Sequence, residues 1–330
     1  MNKIKVGING FGRIGRLATR ILSERSDMQL VHVNDPGTGA DTLAHLLNFD
    51  SIYGRWQHEA RAHGETLHIG DQSVQVTHNK AISETDWSDC DLVLECSGKM
   101  RKKEVLQGYL DQGIGHVVVS APVPDIPNIV LGVNDDTLTP DDRLLTAASC
   151  TTNCLAPVVK VIHEQLGIKR GSMTTIHGLT NDQVILDAPH KDPRRARAAG
   201  QSMIPTTTNS AKAITAIFPE LTGHLNGIAV RVPVTNASLT DCVFDVEQET
   251  TVEEVNEFLK AAADGDLAGI LDYEERPLVS CDFRGDSHSS IVDGLSTLVI
   301  DKSQVRIYAW YDNEWGYSNR LVELAAKVGQ

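Results

Sequence analysis

Short apolar runs alternate with amphipathic stretches through the first half of the chain. Ile4, Val6 and Ile8 lie in one such run, and a helical pattern follows it to about Leu22. A second strand is predicted over 29–33, a helix over 41–47, and a small hairpin over 66–78 that turns at Gly70-Asp71. Asp91-Leu92-Val93-Leu94-Glu95-Cys96 reads as a buried strand ending in Ser97-Gly98, followed by a helix over 102–112 and a strand over 115–120. Cys96 falls within that buried strand run and reads as structural. The apolar run 144–148 gives way to a long helix over 151–166. Strands alternating with helices predict a parallel sheet with right-handed crossovers.

The pattern changes in the second half. A strand over 172–177 is followed by a long irregular stretch, 178–201, that holds Lys191, Arg194, Arg195 and Arg197. Long structureless segments in compact domains are usually functional or held at an interface. Beyond it come a helix over 210–217, strands over 226–232 and 238–247, and a helix over 252–262. Short strands over 289–292, 296–300 and 305–311 and an amphipathic helical tail over 315–328 complete the chain. Hairpin-linked strands beside helices predict an α+β unit with a largely antiparallel sheet. The sequence shows neither internal repeats nor low-complexity segments.

Composition narrows the class rather than the fold. A chain of 330 residues, 41% hydrophobic and 22% charged, has room for two domains with real cores. Six cysteines without a CxxC pair, and an N-terminus unlike a signal peptide, lead us to expect free thiols in the cytoplasm. No apolar stretch approaches the roughly 20 residues that span a bilayer. A net charge of −14 argues against general affinity for nucleic acid or acidic membranes, while leaving room for a local basic pocket.

Gly10-Phe11-Gly12-Arg13-Ile14-Gly15 is a GxGxxG run in its required setting, after a strand and at a helix start. Gly10 permits the tight turn, Gly12 lets backbone approach a pyrophosphate, and Gly15 allows close helix–strand packing. Asp35, 20 residues after Gly15, ends the second strand, where a carboxylate bonds ribose hydroxyls and disfavours an extra phosphate. The pattern predicts an NAD site. Ligands of such sheets lie beyond the carboxyl ends of the strands, so Asp35, Ser97, Ser120 and Cys150 are expected on one rim.

Cys150 stands where an apolar run meets a helix. Unpaired first-turn N–H groups and the helix dipole lower a thiol's pKa there and make a nucleophile; the bland alternative is a small buried residue at a helix start. A cysteine nucleophile needs an imidazole, and His177 at a strand end, 27 residues on, is one of 12 histidines that could serve. Arg231 in "AVRVPV" and the basic loop offer fork-shaped donors for a phosphate. Lys191 and Arg194 fit salt bridges at a subunit contact equally well.

The strings "VGINGFGRIGR", "SCTTNCLAPV", "HKDPRRARAA", "AVRVP" and "WYDNEWGYSNR" resemble the phosphorylating glyceraldehyde-3-phosphate dehydrogenase family over the whole chain, in the same order and spacing. The resemblance implies a Rossmann-type doubly wound parallel sheet formed by 1–149 with the C-terminal helix 316–330 returning to it, and a catalytic domain over 150–315. It implies that Cys150 attacks the aldehyde of glyceraldehyde 3-phosphate, that His177 acts as base while hydride passes to NAD, and that inorganic phosphate cleaves the thioester. Thr180, Asp182 and Arg231 are then expected at the substrate's 3-phosphate. Ser149, Thr151, Arg195 and Thr208 are expected around the attacking phosphate, with Asn209 beside it. Gly10, Phe11, Gly12, Arg13, Ile14, Asp35, Ser97, Ser120, Asn313 and Tyr317 are expected to hold NAD. No metal is implied. The family's usual state is a homotetramer in which the 178–201 loop crosses an interface.

The sequence departs from the family's pattern at Ala147, at Gly178-Leu179, and at Asn209, which takes the place of a glycine in a "TTTGAAK"-like run. The stretch "DTLAHLLNFDSIYGRW" and the whole set look closer to a bacterial branch encoded beside arsenic-resistance transporters. That branch implies arsenate as acyl acceptor and 1-arseno-3-phosphoglycerate as product. Two other readings stand beside these: an erythrose-4-phosphate dehydrogenase that releases the acyl group to water, and a non-catalytic NAD- or RNA-binding relative.

Overall fold

A computed structural model describes residues 3–330, which divide into two compact units. Of the described residues, the first comprises 3–129, 135–149 and 318–330, and the second 130–134 and 150–317. The split therefore differs slightly from the expected 1–149 with 316–330. Residues 130–134 go with the second unit for a local reason: Lys160 Nζ donates to the Gly132 carbonyl at 2.9 Å, and a Cβ on Gly132 would meet the Ile270 and Leu267 side chains.

In the first unit the elements run β1 (Ile4–Asn9), α1 (Arg13–Ser23), β2 (Met28–Asn34), α2 (Ala40–Asn48), the short pair β3 (Phe49–Asp50) and β4 (Gly54–Arg55), and β5 (Ala60–His63). They continue with β6 (Thr66–Ile69), β7 (Gln72–Thr77), β8 (Leu92–Glu95), α3 (Lys103–Leu110), β9 (His116–Val119) and β10 (Leu144–Thr146). One sheet has the order β10-β9-β8-β1-β2-β7-β6-β5, parallel as far as β7 and antiparallel beyond it. The chain leaves β1 for β2 on one side and returns to β8 on the other. That reversal opens a crevice at the carboxyl ends of β1 and β8.

Register aligns those ends. Asn9 pairs with Asn34 and Glu95, Glu95 with Val119, and Val119 with Thr146. The residues that follow, Gly10, Asp35, Cys96-Ser97 and Ser120, thus stand on one rim of the sheet. Cys96 lies just past β8 and is half-buried, a correction to its expected place inside the strand. Valines and leucines fill the sheet, whose central strands are covered on both faces, as parallel sheets require.

The second unit runs α4 (Cys150–Leu166), β11 (Ile168–His177), β12 (Ile204–Thr207), α5 (Ser210–Ile217), β13 (Leu225–Arg231), β14 (Ser238–Val246) and α6 (Val252–Asp264). Then follow β15 (Leu271–Glu274), β16 (Ser290–Asp293), β17 (Leu298–Ile300), β18 (Gln304–Tyr311) and α7 (Trp315–Val328), whose later part counts with the first unit. The sheet order is β12-β13-β11-β14-β18-β16-β15, with β17 also on β18. It is mostly antiparallel, but β11–β13 and β15–β16 run parallel. The strict in–out alternation of β14 and β18 buries one face of each strand, the signature of half-buried strands. Stretch 178–201 carries no strand or α-helix. Among the described residues no helix is long and apolar enough to cross a membrane.

Candidate active site

Backbone does most of the work in the first unit's crevice. Gly10 adopts φ +92°, and a Cβ there would lie 2.4 Å from the Ser97 nitrogen, so only glycine fits. A Cβ on Gly15 would meet the Gly10 carbonyl oxygen at 2.1 Å, which seats α1 against the turn. Around Gly12 a Cβ would find nothing within 4 Å. That open face, beside a helix start whose N-cap makes no side-chain bond, is where backbone N–H groups can meet an anion. The Asp35 carboxylate accepts from the Phe11 N–H at 2.7 Å and the Gly37 N–H at 2.8 Å. Two of its roughly four acceptor positions are used this way, so it is fixed in direction yet keeps acceptors for ribose hydroxyls. The residues present fit a dinucleotide.

Other members of the expected cofactor set have definite partners. The Arg13 guanidinium is ion-paired with Asp50 and lies over the Tyr53 ring, so it is the residue's backbone that the helix start presents. Ile14 is half-buried on that first turn. The Ser97 N–H and hydroxyl both donate to Glu95, a buried carboxylate that also accepts from Asn9 and Tyr109. The Ser120 N–H donates to the Glu95 carbonyl at 2.9 Å. One buried acid thereby holds the ends of β1 and β8 in place.

The chemistry-bearing side chains lie in the second unit. Cys150 is the first residue of α4, and His177 the last of β11. The Sγ–Nε2 distance is 3.6 Å. Burial pushes the Cys150 thiol above its ordinary range, and Arg231 and the hydroxyl and N–H of Thr151 pull the other way. The lowering expected at a helix start is thus present but outweighed in the free protein, although Cys150 itself is only half-buried. His177 is 4% exposed, and burial followed by the charge of Arg231 depresses its pKa to about 3. At neutral pH the imidazole is uncharged and able to accept a proton.

A residue the sequence did not single out ties these ends together. The Tyr311 hydroxyl lies 2.9 Å from Thr151 Oγ1 and 2.8 Å from Thr175 Oγ1, joining the first turn of α4 to the end of β11. Its ring meets that of His177 edge-on at 6.0 Å. Tyr311 stands 160 positions after Thr151, and only the strand register brings it there. Ser238 was missed in the same way. It accepts from the Gly178 N–H at 3.0 Å and donates to the Asn313 side-chain oxygen at 2.9 Å, which sets the direction of the Asn313 amide. Gly178 suits its place, since a Cβ would press on the Val234 carbonyl at 3.0 Å. Tyr317 is buried on the first turn of α7.

Four residues form a chain of charge beside His177. Arg231 Nη1 lies 2.8 Å from His177 Nδ1 and donates to Thr180 Oγ1 at 2.9 Å. The Thr180 hydroxyl donates to Asp182, which is ion-paired with Arg195. Burial alone would raise the Asp182 pKa, but Thr180, Arg231 and Arg195 bring it below the usual carboxylate range. Asp182, expected at the substrate's 3-phosphate, thus links Thr180 to Arg195. Arg195, expected around the attacking phosphate, reaches both ways: to Asp182, and to the Thr207 carbonyl at 3.4 Å next to Thr208.

Thr208 bonds Ser210 across the start of α5, and Asn209 between them is exposed. At φ −93°, ψ 2° Asn209 needs no glycine, and its side chain makes no cap bond. It lines an open groove of about 710 Å³ with Asp192, Arg194, Thr206, Thr208 and Lys212. Ser149 lies half-buried at the end of the first unit, one residue after Ala148, whose φ of +53° is left-handed.

Comparison with known proteins fixes the family. Residues 4–103 match the model of the glyceraldehyde 3-phosphate dehydrogenase NAD binding domain, and residues 149–313 that of its C-terminal domain. The chain belongs to the glyceraldehyde 3-phosphate dehydrogenase family. It is 58% identical to glyceraldehyde-3-phosphate dehydrogenase 3 of Nostoc sp., over 99% of this chain and 98% of the relative. It is 51% identical to glyceraldehyde-3-phosphate dehydrogenase of Geobacillus stearothermophilus (98% of each) and 48% to glyceraldehyde-3-phosphate dehydrogenase 1 of Bacillus subtilis (99% and 98%). As a glyceraldehyde 3-phosphate dehydrogenase family member it is an NAD-dependent oxidoreductase acting on an aldehyde group, with a Rossmann NAD-binding domain and the family's C-terminal domain. The non-catalytic reading is set aside.

Proposed function

We propose that the enzyme oxidises glyceraldehyde 3-phosphate to 1,3-bisphosphoglycerate, using NAD and inorganic phosphate, through an acyl group on Cys150. The observation that carries this is the 3.6 Å approach of Cys150 Sγ to the uncharged, buried His177 Nε2. The Cys150 thiol adds across the aldehyde, its sulfur bonding the carbonyl carbon while its proton passes by way of His177 to the carbonyl oxygen, to give a thiohemiacetal. His177 takes the hydroxyl proton at Nε2 as hydride leaves that carbon. NAD, when bound, supplies the hydride acceptor. A phosphate oxygen then bonds the thioester carbon, the carbon–sulfur bond breaks, and the departing Cys150 sulfur takes back the proton that His177 holds. Arg231 and Thr180, set by Asp182, hold the substrate's phosphate. Arg195, Thr208, Thr151 and Ser149 receive the attacking one. Gly10, Phe11, Gly12, Arg13, Ile14, Asp35, Ser97, Ser120, Asn313 and Tyr317 hold the cofactor. Water must be kept from the thioester, since hydrolysis would discard the energy of oxidation.

A second reading concerns the acceptor. Arsenate has the shape and charge of phosphate and is slightly larger. The exposed Asn209 on an open groove beside Thr208 supports a pocket reshaped for it, giving 1-arseno-3-phosphoglycerate. Assays of glyceraldehyde 3-phosphate and erythrose 4-phosphate with phosphate, with arsenate and with neither separate the readings. We expect oxidation of the triose to need an oxyanion. Equal rates without one would defeat the phosphorolysis claim, and a preference for the tetrose would favour erythrose-4-phosphate dehydrogenase. We also assign the chain to a homotetramer. Ile185, Leu186 and Met203 are 88%, 73% and 76% exposed, and apolar side chains so bare on and beside the 178–201 loop suit a partner copy. All six cysteines are free thiols, which suits a reducing cytoplasm.

A further inference from the structure

His177 Nδ1 has two neighbours that make opposite demands. The Gly178 carbonyl oxygen lies 2.8 Å away and accepts only from an N–H. Arg231 Nη1 also lies 2.8 Å away and is always a donor, so it needs a lone pair there. One ring nitrogen cannot satisfy both. The charge-assisted guanidinium bond is the stronger of the two, so while Arg231 stays Nδ1 is the acceptor; the two Nη1 hydrogens go to His177 and Thr180, and the carbonyl lies 3.4 Å from the same Nη1. The ring hydrogen then sits on Nε2, facing Cys150 Sγ.

Arg231 itself is incompletely satisfied. Its Nε is buried and has no hydrogen-bond partner among the described residues. An unmet buried donor costs about 1–3 kcal/mol, so the guanidinium gains by turning toward a better acceptor. Phosphate offers the strongest kind, with geometry matched to the guanidinium fork.

We propose that Arg231 positions the proton of His177: in the free enzyme it holds the hydrogen on Nε2, and when a phosphate monoester draws it away the hydrogen moves to Nδ1, leaving an Nε2 lone pair on the Cys150 side. The exchange takes one proton from Nε2 and puts one on Nδ1 through solvent, with no net uptake. The Gly178 carbonyl, fixed through its own N–H by Ser238, receives the new Nδ1–H. Because the imidazole's proton affinity is so depressed, the two neutral tautomers are the forms that compete at neutral pH. A seated phosphate also offsets the Arg231 charge, which is the second cause of that depression after burial. The base therefore becomes available once the substrate's phosphate is in place. This inference rests on the reading of His177 as base and Arg231 as phosphate ligand.

The test is nitrogen-15 spectroscopy of the histidine-labelled holoenzyme, with the His177→Gln variant identifying the resonances. The probe is glycerol 3-phosphate, which has no aldehyde, with glycerol as control and calorimetry reporting binding. We expect His177 to carry hydrogen on Nε2 in the free enzyme and on Nδ1 at saturating glycerol 3-phosphate, with no change in glycerol. Arg231→Met should show the Nδ1–H form without any ligand. Nδ1–H in the free wild type, an unchanged tautomer on saturation, or absence of glycerol 3-phosphate binding overturns the proposal. The wild-type titration decides the matter even if Arg231→Met fails to fold. Turnover is measured separately: oxidation of glyceraldehyde 3-phosphate with an unmoved tautomer removes this inference alone, whereas absence of oxidation removes the functional reading beneath it.

Discussion

The nucleotide crevice and the thiol site are built on opposite plans. The crevice is built around backbone from a contiguous run, 10–15, with one carboxylate from the next strand, Asp35, 25 residues from Gly10, and register adds Ser97 and Ser120 to its rim. The thiol site gathers side chains from α4, β11, β13, β14 and β18, with Thr151 and Tyr311 160 positions apart. Backbone sites tolerate side-chain change except where a Cβ collides. Sites built of side chains depend on sheet register, and every member is exposed to substitution.

That difference predicts where a single change hurts most. Cys150→Ser should lower NAD-dependent oxidation of glyceraldehyde 3-phosphate by at least ~10³-fold, the order lost when a covalent catalyst gives up its nucleophile. Steady-state rates with unchanged NAD binding are the check, and largely intact turnover would remove the covalent route. Asp35→Ala tests the other region. Losing hydrogen bonds to a charged group, each about 1.5–3 kcal/mol, should narrow the preference for NAD over NADP by roughly 10- to 100-fold. The ratio of kcat/KM for the two cofactors reads this out, and an unaltered ratio takes Asp35 out of the ribose role. Asp35→Ala leaves the reacting groups in place and Cys150→Ser leaves the cofactor crevice in place, so the two variants separate binding from bond making.

The smallest effect is on stability. The His177 pKa falls from an ordinary 6.5 to about 3 on folding. Between those values the unfolded chain binds a proton that the folded chain refuses. His177's contribution is therefore fully present above about pH 6.5 and is lost as pH falls toward about 3. Denaturant midpoints of wild type and His177→Asn, followed from neutral pH into acid, should converge as the pH drops. A constant gap would mean that the ring is not held neutral.

The same contrast explains what could be read from the chain. GxGxxG, the strand before it and Asp35 are neighbours in sequence, so the crevice was legible from spacing and steric rules alone. α7 was legible to the residue, at 315–328, because its amphipathic period is unbroken. Cys150 was visible as a thiol at a helix start, but its partner was not: spacing gave 12 histidines, and the resemblance to a family chose His177. Tyr311 and Ser238 left no local signal, since their hydroxyls matter only through register. β12 and β15 were missed because Pro205 interrupts one and charge interrupts the apolar pattern of the other. The direction of the Cys150 pKa was misjudged for a physical reason, as a helix dipole can be read from sequence and burial cannot.

Ala148 carries one more consequence, for what substitutions this fold can accept. Its left-handed φ of +53° costs an L-residue roughly 1–2 kcal/mol, and its methyl group is fully buried. The backbone disfavours β-branched residues here and the complete burial leaves no open face for a longer side chain, so alanine and glycine suit the position best. Glycine would relieve the turn but loosen the unfolded chain and leave the buried space unfilled. The residue two places before Cys150 is thus held between two penalties, a narrow passage that sequence drift through this enzyme must respect.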